Sequence, residues 1–229
     1  MKRVLLIGST EFQGGIESFI KRLVTQLHES YSFSILQFRD AQIVDFSYFT
    51  ETLNVPVYKV LIPGGALGIL QRERIANRFF ENHKFDIVHI NTNSPSSYFW
   101  AKAALKSGIK VIYQSHNGSA ETFAGKNVPK SILNLIRNYQ RKKLLSLNTT
   151  NIQVSDVAGE WMFGPDYDVK NTYVNGIQLD GFEFSFEKRE ELRKRYNISN
   201  NARVVLMASR IVEQKNVFRS LRISETGVD

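Results

Sequence analysis

The chain has 229 residues, of which 42% are hydrophobic and 23% charged, and this composition is typical of a folded globular protein. Its formal net charge of +8 favours anionic partners such as nucleotide phosphates or phospholipid head groups, or else a solvated basic surface. The absence of cysteine excludes disulfides and cysteine–zinc sites, and the four histidines lack the spacing of metal ligands. We therefore expect no metal site.

Apolar runs typical of β-strands alternate with helical patterns along the chain. Strands are predicted at 3–8, 33–38, 55–60, 85–90, 109–114, 151–155, 171–174 and 203–208. Helices are predicted between them, at 16–27, 70–82, 96–107, 130–147, 156–163 and 186–196. Several strands are continuous runs of valine, isoleucine and leucine, as expected for parallel strands covered on both faces. The alternation predicts a doubly wound, mostly parallel α/β sheet.

The sequence contains no segment typical of a signal peptide or a membrane-spanning helix. The apolar run near the start is too short for a signal peptide, and the stretch 60–70 carries three glycines and a proline. We therefore expect a cytoplasmic protein, and contact with the inner face of the plasma membrane is an open alternative. No helix-turn-helix or base-stacking motif is present, so nucleic acid is not an expected partner.

Ligands of doubly wound sheets bind beyond the carboxyl ends of the strands, so the residues that follow each strand are the candidates for a site. Gly14 and Gly15 stand directly before the first helix. They would let a backbone approach a ligand beside the free N–H groups of the helix, or they form a tight turn. The spacing matches neither a P-loop nor the dinucleotide fingerprint.

Polar residues follow several later strands. Asn91 and Asn93 come after the fourth strand and could bind a sugar hydroxyl or cap the next helix. His116, next to Asn117, has the best position of the four histidines for chemistry, although a lone histidine is often structural. Asn175 begins an Asn-Gly turn.

The stretch "ASRIVEQKN" at 208–216 places Arg210 and Lys215 just beyond the last predicted strand. Two cations at the end of a strand are what a phosphorylated ligand would require. A charge-dense helix at 186–196 precedes that strand, and this change of composition indicates a boundary between two domains.

The order of these motifs resembles a known family. The glycine loop, "SHN" at 115–117, "VNGIQLDGF" at 174–182 and "SRIVEQKN" at 209–216 together resemble the GT-B-fold glycosyltransferases. Among them, the chain is most similar to the retaining, family-four type that builds bacterial capsular polysaccharides and exopolysaccharides. The resemblance spans residues 1 to about 216.

The resemblance implies two Rossmann-like domains that face each other across a cleft. Residues 1–178 would be the acceptor-binding domain, and residues 179–229 would hold a linker helix and the truncated start of the donor-binding domain. The family's second domain continues well beyond Lys215 and carries a pair of glutamates, for which this sequence leaves no room. The expectation is therefore an acceptor domain with a truncated donor domain, which could be inactive alone.

The family's site residues map onto matching positions of this sequence. Gly14 and Gly15 would lie close to the donor phosphates and the acceptor, and His116 would contact the transferred sugar as the catalytic residue. Arg210 and Lys215 would hold the donor diphosphate, where negative charge develops in the transition state.

Three asparagines complete the predicted donor- and acceptor-binding set, namely Asn91, Asn117 and Asn175. Many relatives have a second histidine two residues before the first, but this chain has Gln114 there, which puts a role for that position in doubt.

These assignments predict transfer of a sugar from a nucleotide-sugar donor, a UDP-sugar, to a glycan or a polyprenyl-diphosphate-linked acceptor. The nucleotide sugar is a co-substrate, so no cofactor is expected. A non-catalytic module that binds acceptor or membrane without transfer is the open alternative. A Rossmann oxidoreductase is disfavoured because its glycine fingerprint is absent.

Residues 129–147 form a basic amphipathic segment with five cations and no acid. The cations are Lys130, Arg137, Arg141, Lys142 and Lys143. An apolar stripe on the same segment could lie on an anionic membrane, or it could pack on the sheet while the cations stay solvated. The stretch 61–70 is a second candidate for contact with lipid or acceptor.

Overall fold

The computed structural model describes residues 1–38, 40–118, 129–177, 179, 181–209, 211 and 216–219. The chain divides into two compact units, Met1–Gly176 and Ile177–Asp229. The functional labels expected for the two parts, acceptor-binding and donor-binding, stay predictions.

The first unit is built on a parallel β-sheet. Its six strands are β1 (Lys2–Ile7), β2 (Tyr31–Gln37), β3 (Val57–Lys59), β4 (Ile87–Thr92), β5 (Lys110–Ser115) and β6 (Thr150–Gln153). Their order is β3-β2-β1-β4-β5-β6, and every neighbouring pair is parallel. The chain therefore runs outward from β1 in one direction and then from β4 in the other. This confirms the predicted doubly wound, Rossmann-like α/β fold.

Helices form in all six predicted places. They are α1 (Gly15–Leu27), α2 (Gly65–Asn82), α3 (Tyr98–Lys106), α4 (Lys130–Leu145), α5 (Asp156–Phe163) and α6 (Phe186–Arg195). Helix α2 begins five residues earlier than predicted, at Gly65 after the N-cap Gly64. Short helical turns occur at Tyr48–Thr52, Pro95–Ser97 and Val169–Asn171.

The core lies on both faces of the sheet. In β1, Leu5 and Ile7 belong to one apolar cluster, whereas Val4 and Leu6 belong to the other. Successive side chains of a strand point to opposite faces, so a strand covered on both sides must be apolar at every position. This explains why β1 is a continuous run of large aliphatic residues.

Two predicted strands do not form. Residues 171–174 contain the end of the Val169–Asn171 turn and a single bridge between Gln153 and Thr172. The side chain of Gln153 donates to the carbonyl of Asp168 and to the Thr172 hydroxyl, which fixes a turn there rather than a ladder.

Residues 203–208 have no strand conformation, and Val205 and Leu206 are 82% and 85% exposed. The apolar pattern was a strand signal, but a strand requires hydrogen-bonding neighbours. The described residues of the second unit contain no strand with which it could pair.

Candidate ligand site at the carboxyl edge of the sheet

The sheet reverses its strand order between β1 and β4, and the candidate site lies at this edge, where the chain leaves the carboxyl ends of β1, β4 and β5. Asn91 near the end of β4 and His116 just after β5 meet there. The Nε2 atom of His116 lies 3.0 Å from the Oδ1 atom of Asn91. The structure thus brings together two of the residues that the sequence selected.

Gly8 directly follows β1 and has a conformation that only glycine adopts readily, with a φ of 132°. A Cβ at this position would lie 2.1 Å from the backbone oxygen of Asn91, so any side chain would push β1 and β4 apart. Sequence analysis did not select Gly8, although a glycine directly after an apolar strand was a signal for close backbone approach.

Gly14 and Gly15 lie where helix α1 begins, at the same edge of the sheet. Gly14 is the N-cap and makes no side-chain capping bond. A Cβ on Gly15 would meet no atom within 4 Å, so protein packing does not explain this glycine. The first N–H groups of a helix have no partner within the helix and can bind an anion.

A buried carboxylate holds the loop that precedes α1. Glu17 is 7% exposed, and it accepts hydrogen bonds from the backbone N–H of Thr10 at 3.2 Å and the Thr10 hydroxyl at 2.7 Å. Sequence analysis missed this pair, whose residues lie seven positions apart across a loop. The contact fixes the path of the chain between β1 and α1.

The two histidines of the site are neutral. Burial, together with the nearby His89, lowers the pKa of His116 to about 3, and burial lowers the pKa of His89 to about 4 although its bond to Gln114 opposes this. The ring of Phe19 on α1 packs edge-on against His116, with ring centroids 5.0 Å apart. A neutral imidazole suits a polar, uncharged ligand group such as a hydroxyl.

Several polar atoms at this edge are buried without a hydrogen-bond partner among the described residues. They are the Nδ1 atom of His116, the Oγ atom of Ser9 and the Oδ1 atom of Asn93. Buried polar groups are normally paired, so such atoms call for a ligand or ordered water.

Other predicted site residues have different surroundings. Asn117 follows His116 and is half-buried. Asn175 lies after the Val169–Asn171 turn, and its Oδ1 atom is buried without a partner in the described part of the chain. Arg210 and Lys215, the predicted diphosphate ligands, lie outside the described residues.

The basic residues of α4 fall into two groups. The guanidinium of Arg137 lies 4.0 Å from the centroid of the Trp161 ring, and Arg141 donates to the Trp161 carbonyl at 2.5 Å. Lys142 and Lys143 are instead exposed. Lys130 begins the helix.

Trp161 also reaches the edge of the sheet, because its indole N–H donates to the carbonyl of Asn93 at 3.0 Å. This side chain therefore connects α5, α4 and the loop that follows β4. Sequence analysis predicted a helix at 156–163, which includes Trp161, but did not predict these contacts.

The predicted apolar stripe of α4 does not pack on the sheet. Its members are 47–71% exposed, namely Ile132, Leu135, Ile136 and Tyr139. The stretch 61–70 also exposes large apolar side chains, among them Leu67 at 53% and Leu70 at 80%. None of the described helices is both long and apolar enough to cross a membrane. In the same described ranges, no group of three or more histidine and acidic side chains could hold a metal ion.

Comparison with solved structures shows the same fold in several other proteins. The crystal structure of Anabaena Alr3699/HepE in complex with UDP and glucose has a TM-score of 0.54 and 17% identity, covering 90% of this chain and 54% of that chain. MurG of Acinetobacter baumannii has a TM-score of 0.52 and 13% identity, with coverage of 96% and 63%. UDP-N-acetylglucosamine 2-epimerase of Rickettsia bellii has a TM-score of 0.51 and 13% identity, with coverage of 87% and 50%.

Such low identities show the fold alone, and these neighbours have GT-B architecture. The chain spans about half the length of the HepE structures that it matches. No curated protein sequence matches it significantly. The family model described as Glycosyltransferase Family 4 matches residues 13–162, a segment that begins just before the glycines of α1 and includes Asn91 and His116. Because that match covers well over half of the sequence, the chain belongs to Glycosyltransferase Family 4.

Proposed function

We propose that this chain is the acceptor-binding part of a retaining glycosyltransferase that uses a nucleotide sugar, a UDP-sugar, as its donor. The acceptor is a growing glycan or a polyprenyl-diphosphate-linked sugar in the synthesis of a bacterial capsular polysaccharide or exopolysaccharide. The observation that carries the proposal is the pair of His116 and Asn91 at the switch point of the sheet, 3.0 Å apart.

The chemistry of this edge fits a sugar attached to a phosphate. Neutral polar atoms, such as the buried Nδ1 atom of His116, suit hydroxyl groups. The start of α1, where Gly15 leaves open space, suits an anionic phosphate. Both features belong to the loops that follow β1 and β5, so one ligand could use both.

Sugar transfer requires stabilisation of the leaving diphosphate. The proposal gives this task to Arg210 and Lys215, because fixed positive charge lowers the energy of a transition state in which negative charge builds up. Arginine can bind two phosphate oxygens at once, whereas lysine supplies a point charge.

The competing function is a binding module that holds the acceptor without transfer. It requires the polar edge around His116 but neither Arg210 nor Lys215. The two functions therefore differ in whether the nucleotide part of the donor binds.

Isothermal calorimetry with UDP and UDP-glucose tests the proposed donor site. We expect the full chain to bind both, and Arg210→Ala and Lys215→Ala to weaken binding at least about tenfold each, as loss of a charge-assisted contact of about 1.5–3 kcal/mol predicts. The matched control is Lys110→Ala, an exposed cation at the start of β5. Equal affinity in all four proteins would exclude the two cations from the donor site.

Release of UDP in the presence of a polyprenyl-diphosphate-linked sugar then separates transfer from binding. The absence of both donor binding and UDP release in the full chain would favour the binding module. UDP release that His116→Ala abolishes would support the transferase.

We further propose that α4 contacts an anionic membrane surface on the cytoplasmic side. The support is the exposure of its apolar stripe beside the exposed Lys142 and Lys143. Basic residues near anionic head groups contribute about 1 kcal/mol each, and apolar side chains add to this by inserting between lipids. Arg137 and Arg141, which contact Trp161, would contribute less than the two lysines.

Sedimentation with vesicles containing phosphatidylglycerol tests this surface. Binding should occur at low salt, and both Leu135→Asp and the pair Lys142→Glu with Lys143→Glu should reduce it. The charge-matched control is Lys84→Glu with Lys110→Glu, two exposed cations away from α4. Equal losses in the control and the α4 variants would contradict the assignment to α4.

A further inference from the structure

The contacts of Asn91 determine which groups donate and which accept hydrogen bonds at the carboxyl edge of the sheet. Its Nδ2 atom lies 3.4 Å from the carbonyl oxygen of Ile7 and 3.3 Å from that of His89. A carbonyl oxygen only accepts, so the amide nitrogen must face these two groups. The Oδ1 atom of Asn91 must consequently face His116.

This orientation determines the protonation of the histidine ring. The Oδ1 atom of Asn91 can only accept a hydrogen bond, so the Nε2 atom of His116, 3.0 Å away, must be the donor. In a neutral imidazole the other nitrogen then carries a lone pair. That atom, Nδ1, is buried and has no partner among the described residues.

We propose that Asn91 is a positioning residue that holds His116 as the Nε2–H tautomer and so presents Nδ1 to the site as a hydrogen-bond acceptor. The ligand group that this acceptor suits is a hydroxyl, and this part of the inference rests on the proposed transferase function. Asn91 thereby acts on the ligand through His116, not through the direct donor or acceptor contact that the sequence suggested.

The surroundings of the pair keep this arrangement fixed. Asn91 is 1% exposed, so its amide has no water to turn towards. Gly8 allows the close approach of β1 to the Asn91 backbone, which brings the carbonyl of Ile7 within reach. The ring of Phe19 packs against the imidazole of His116, with ring centroids 5.0 Å apart.

A neighbouring pair repeats the same chemistry. The Nε2 atom of His89 lies 2.8 Å from the Oε1 atom of Gln114, and both side chains are buried. His89 is the titratable group whose charge would act on His116, and Phe19, which packs on His116 from α1, carries no charge. Gln114, which is paired with Asn91 in the register of β4 and β5, thus holds the ring of His89 as Asn91 holds that of His116.

Nitrogen-15 NMR of the full chain, labelled in its histidine rings, tests the tautomer without any ligand or activity. We expect the His116 ring in the wild-type protein to show a single neutral form with the proton on Nε2 between pH 6 and 8. A wild-type ring protonated on Nδ1, or a mixture of tautomers, would overturn the proposal even if no variant folds.

Variants then assign the effect to Asn91. Asn91→Ala should populate the Nδ1–H form of His116, whereas Asn91→Asp keeps an acceptor and should restore the Nε2–H form with a raised pKa. The matched control, Gln114→Ala, should change the signals of His89 and leave the His116 tautomer as it is. An unchanged His116 tautomer in folded Asn91→Ala would contradict the positioning role.

Because the tautomer is measured in the free protein, this test is independent of the calorimetry with UDP-glucose. A failure of donor binding would contradict the proposed function, whereas a His116 ring protonated on Nδ1 would contradict the positioning role of Asn91.

Discussion

Two similar apolar runs behave very differently in this molecule. In β1, Leu5 and Leu6 are fully buried between helices on both faces of the sheet. In the second unit, residues 203–208 have the same aliphatic character, yet Leu206 is 85% exposed and no strand forms. The comparison shows that an apolar pattern makes a segment able to form a strand. The strand forms only where neighbouring strands pair with it.

The largest expected effect is a difference between two leucines. Leu6→Ala should lower the free energy of unfolding of the first unit by about 2–5 kcal/mol, because it removes methyl groups from a packed core. Leu206→Ala should change it by less than about 0.5 kcal/mol, as is usual for exposed positions. Urea denaturation followed by tryptophan fluorescence measures this, since both tryptophans lie in the first unit.

A large loss of stability in Leu206→Ala would break the comparison, because it would show that this leucine is buried in solution. Similar losses of unfolding free energy in Leu6→Ala and Leu206→Ala would lead to the same conclusion.

Replacement of two glycines at the carboxyl edge should also have unequal effects on the free energy of unfolding. Gly8→Ala places a Cβ against the Asn91 oxygen in a left-handed backbone conformation, and the strain alone should cost about 1–3 kcal/mol of stability. Gly15→Ala meets no atom and should change stability by less than about 0.5 kcal/mol. The measurement is urea denaturation of both variants.

Gly15→Ala should nevertheless weaken binding of UDP-glucose if a phosphate approaches the start of α1. Unchanged calorimetric affinity would remove this glycine from the proposed site.

Acid should destabilise the first unit through its buried histidines. Burial lowers the pKa of His89 to about 4 and of His116 to about 3, from an ordinary value of 6.5 in the unfolded chain. Between these values the unfolded state binds more protons, so the free energy of unfolding falls as the pH decreases below about 6.5. Each histidine contributes up to about 1.4 kcal/mol per pH unit.

Urea denaturation at pH 7, 6 and 5 measures this slope. His116→Gln should show a shallower dependence on pH, and an identical slope in the wild-type and variant proteins would contradict the assignment.

The smallest expected effect compares two serine caps, one in each unit. Ser155 accepts a hydrogen bond from the N–H of Ala158 at the start of α5, and Ser185 accepts from that of Lys188 at the start of α6. Replacement of either by alanine should cost about 1 kcal/mol. For Ser155→Ala, this loss should appear in urea denaturation.

For Ser185→Ala, it should appear as faster hydrogen exchange within α6, with unfolding of the first unit unchanged. A drop in the stability of the first unit would contradict this prediction.

The first unit was largely predictable from the sequence because its elements are locally consistent. The continuous apolar strands and the helical patterns between them each indicated the structure that forms. The strands predicted at 171–174 and 203–208 are wrong because pairing depends on partners distant in the sequence. A turn fixed by Gln153 replaces the first, and the second has no described partner.

The site was predictable in its location but not in its contacts. The rule that ligands bind at the carboxyl ends of strands selected Asn91 and His116 separately. Their hydrogen bond, and the need for glycine at position 8, depend on the register between β1, β4 and β5. The register between two strands cannot be predicted from the sequence of either strand alone. The roles of Arg210 and Lys215 stay predictions, because both residues lie outside the described part of the chain.

Trp161 has a consequence for how two ligands would influence each other. Its indole holds the loop beside Asn93, its ring lies under Arg137, and its carbonyl accepts from Arg141. A lipid surface that shifts α4 would therefore disturb the loop at the candidate site, and a ligand that shifts the loop would disturb α4. Thermodynamic linkage requires the two affinities to change by the same factor. The emission of this one indole would report that coupling, because both contacts determine its environment.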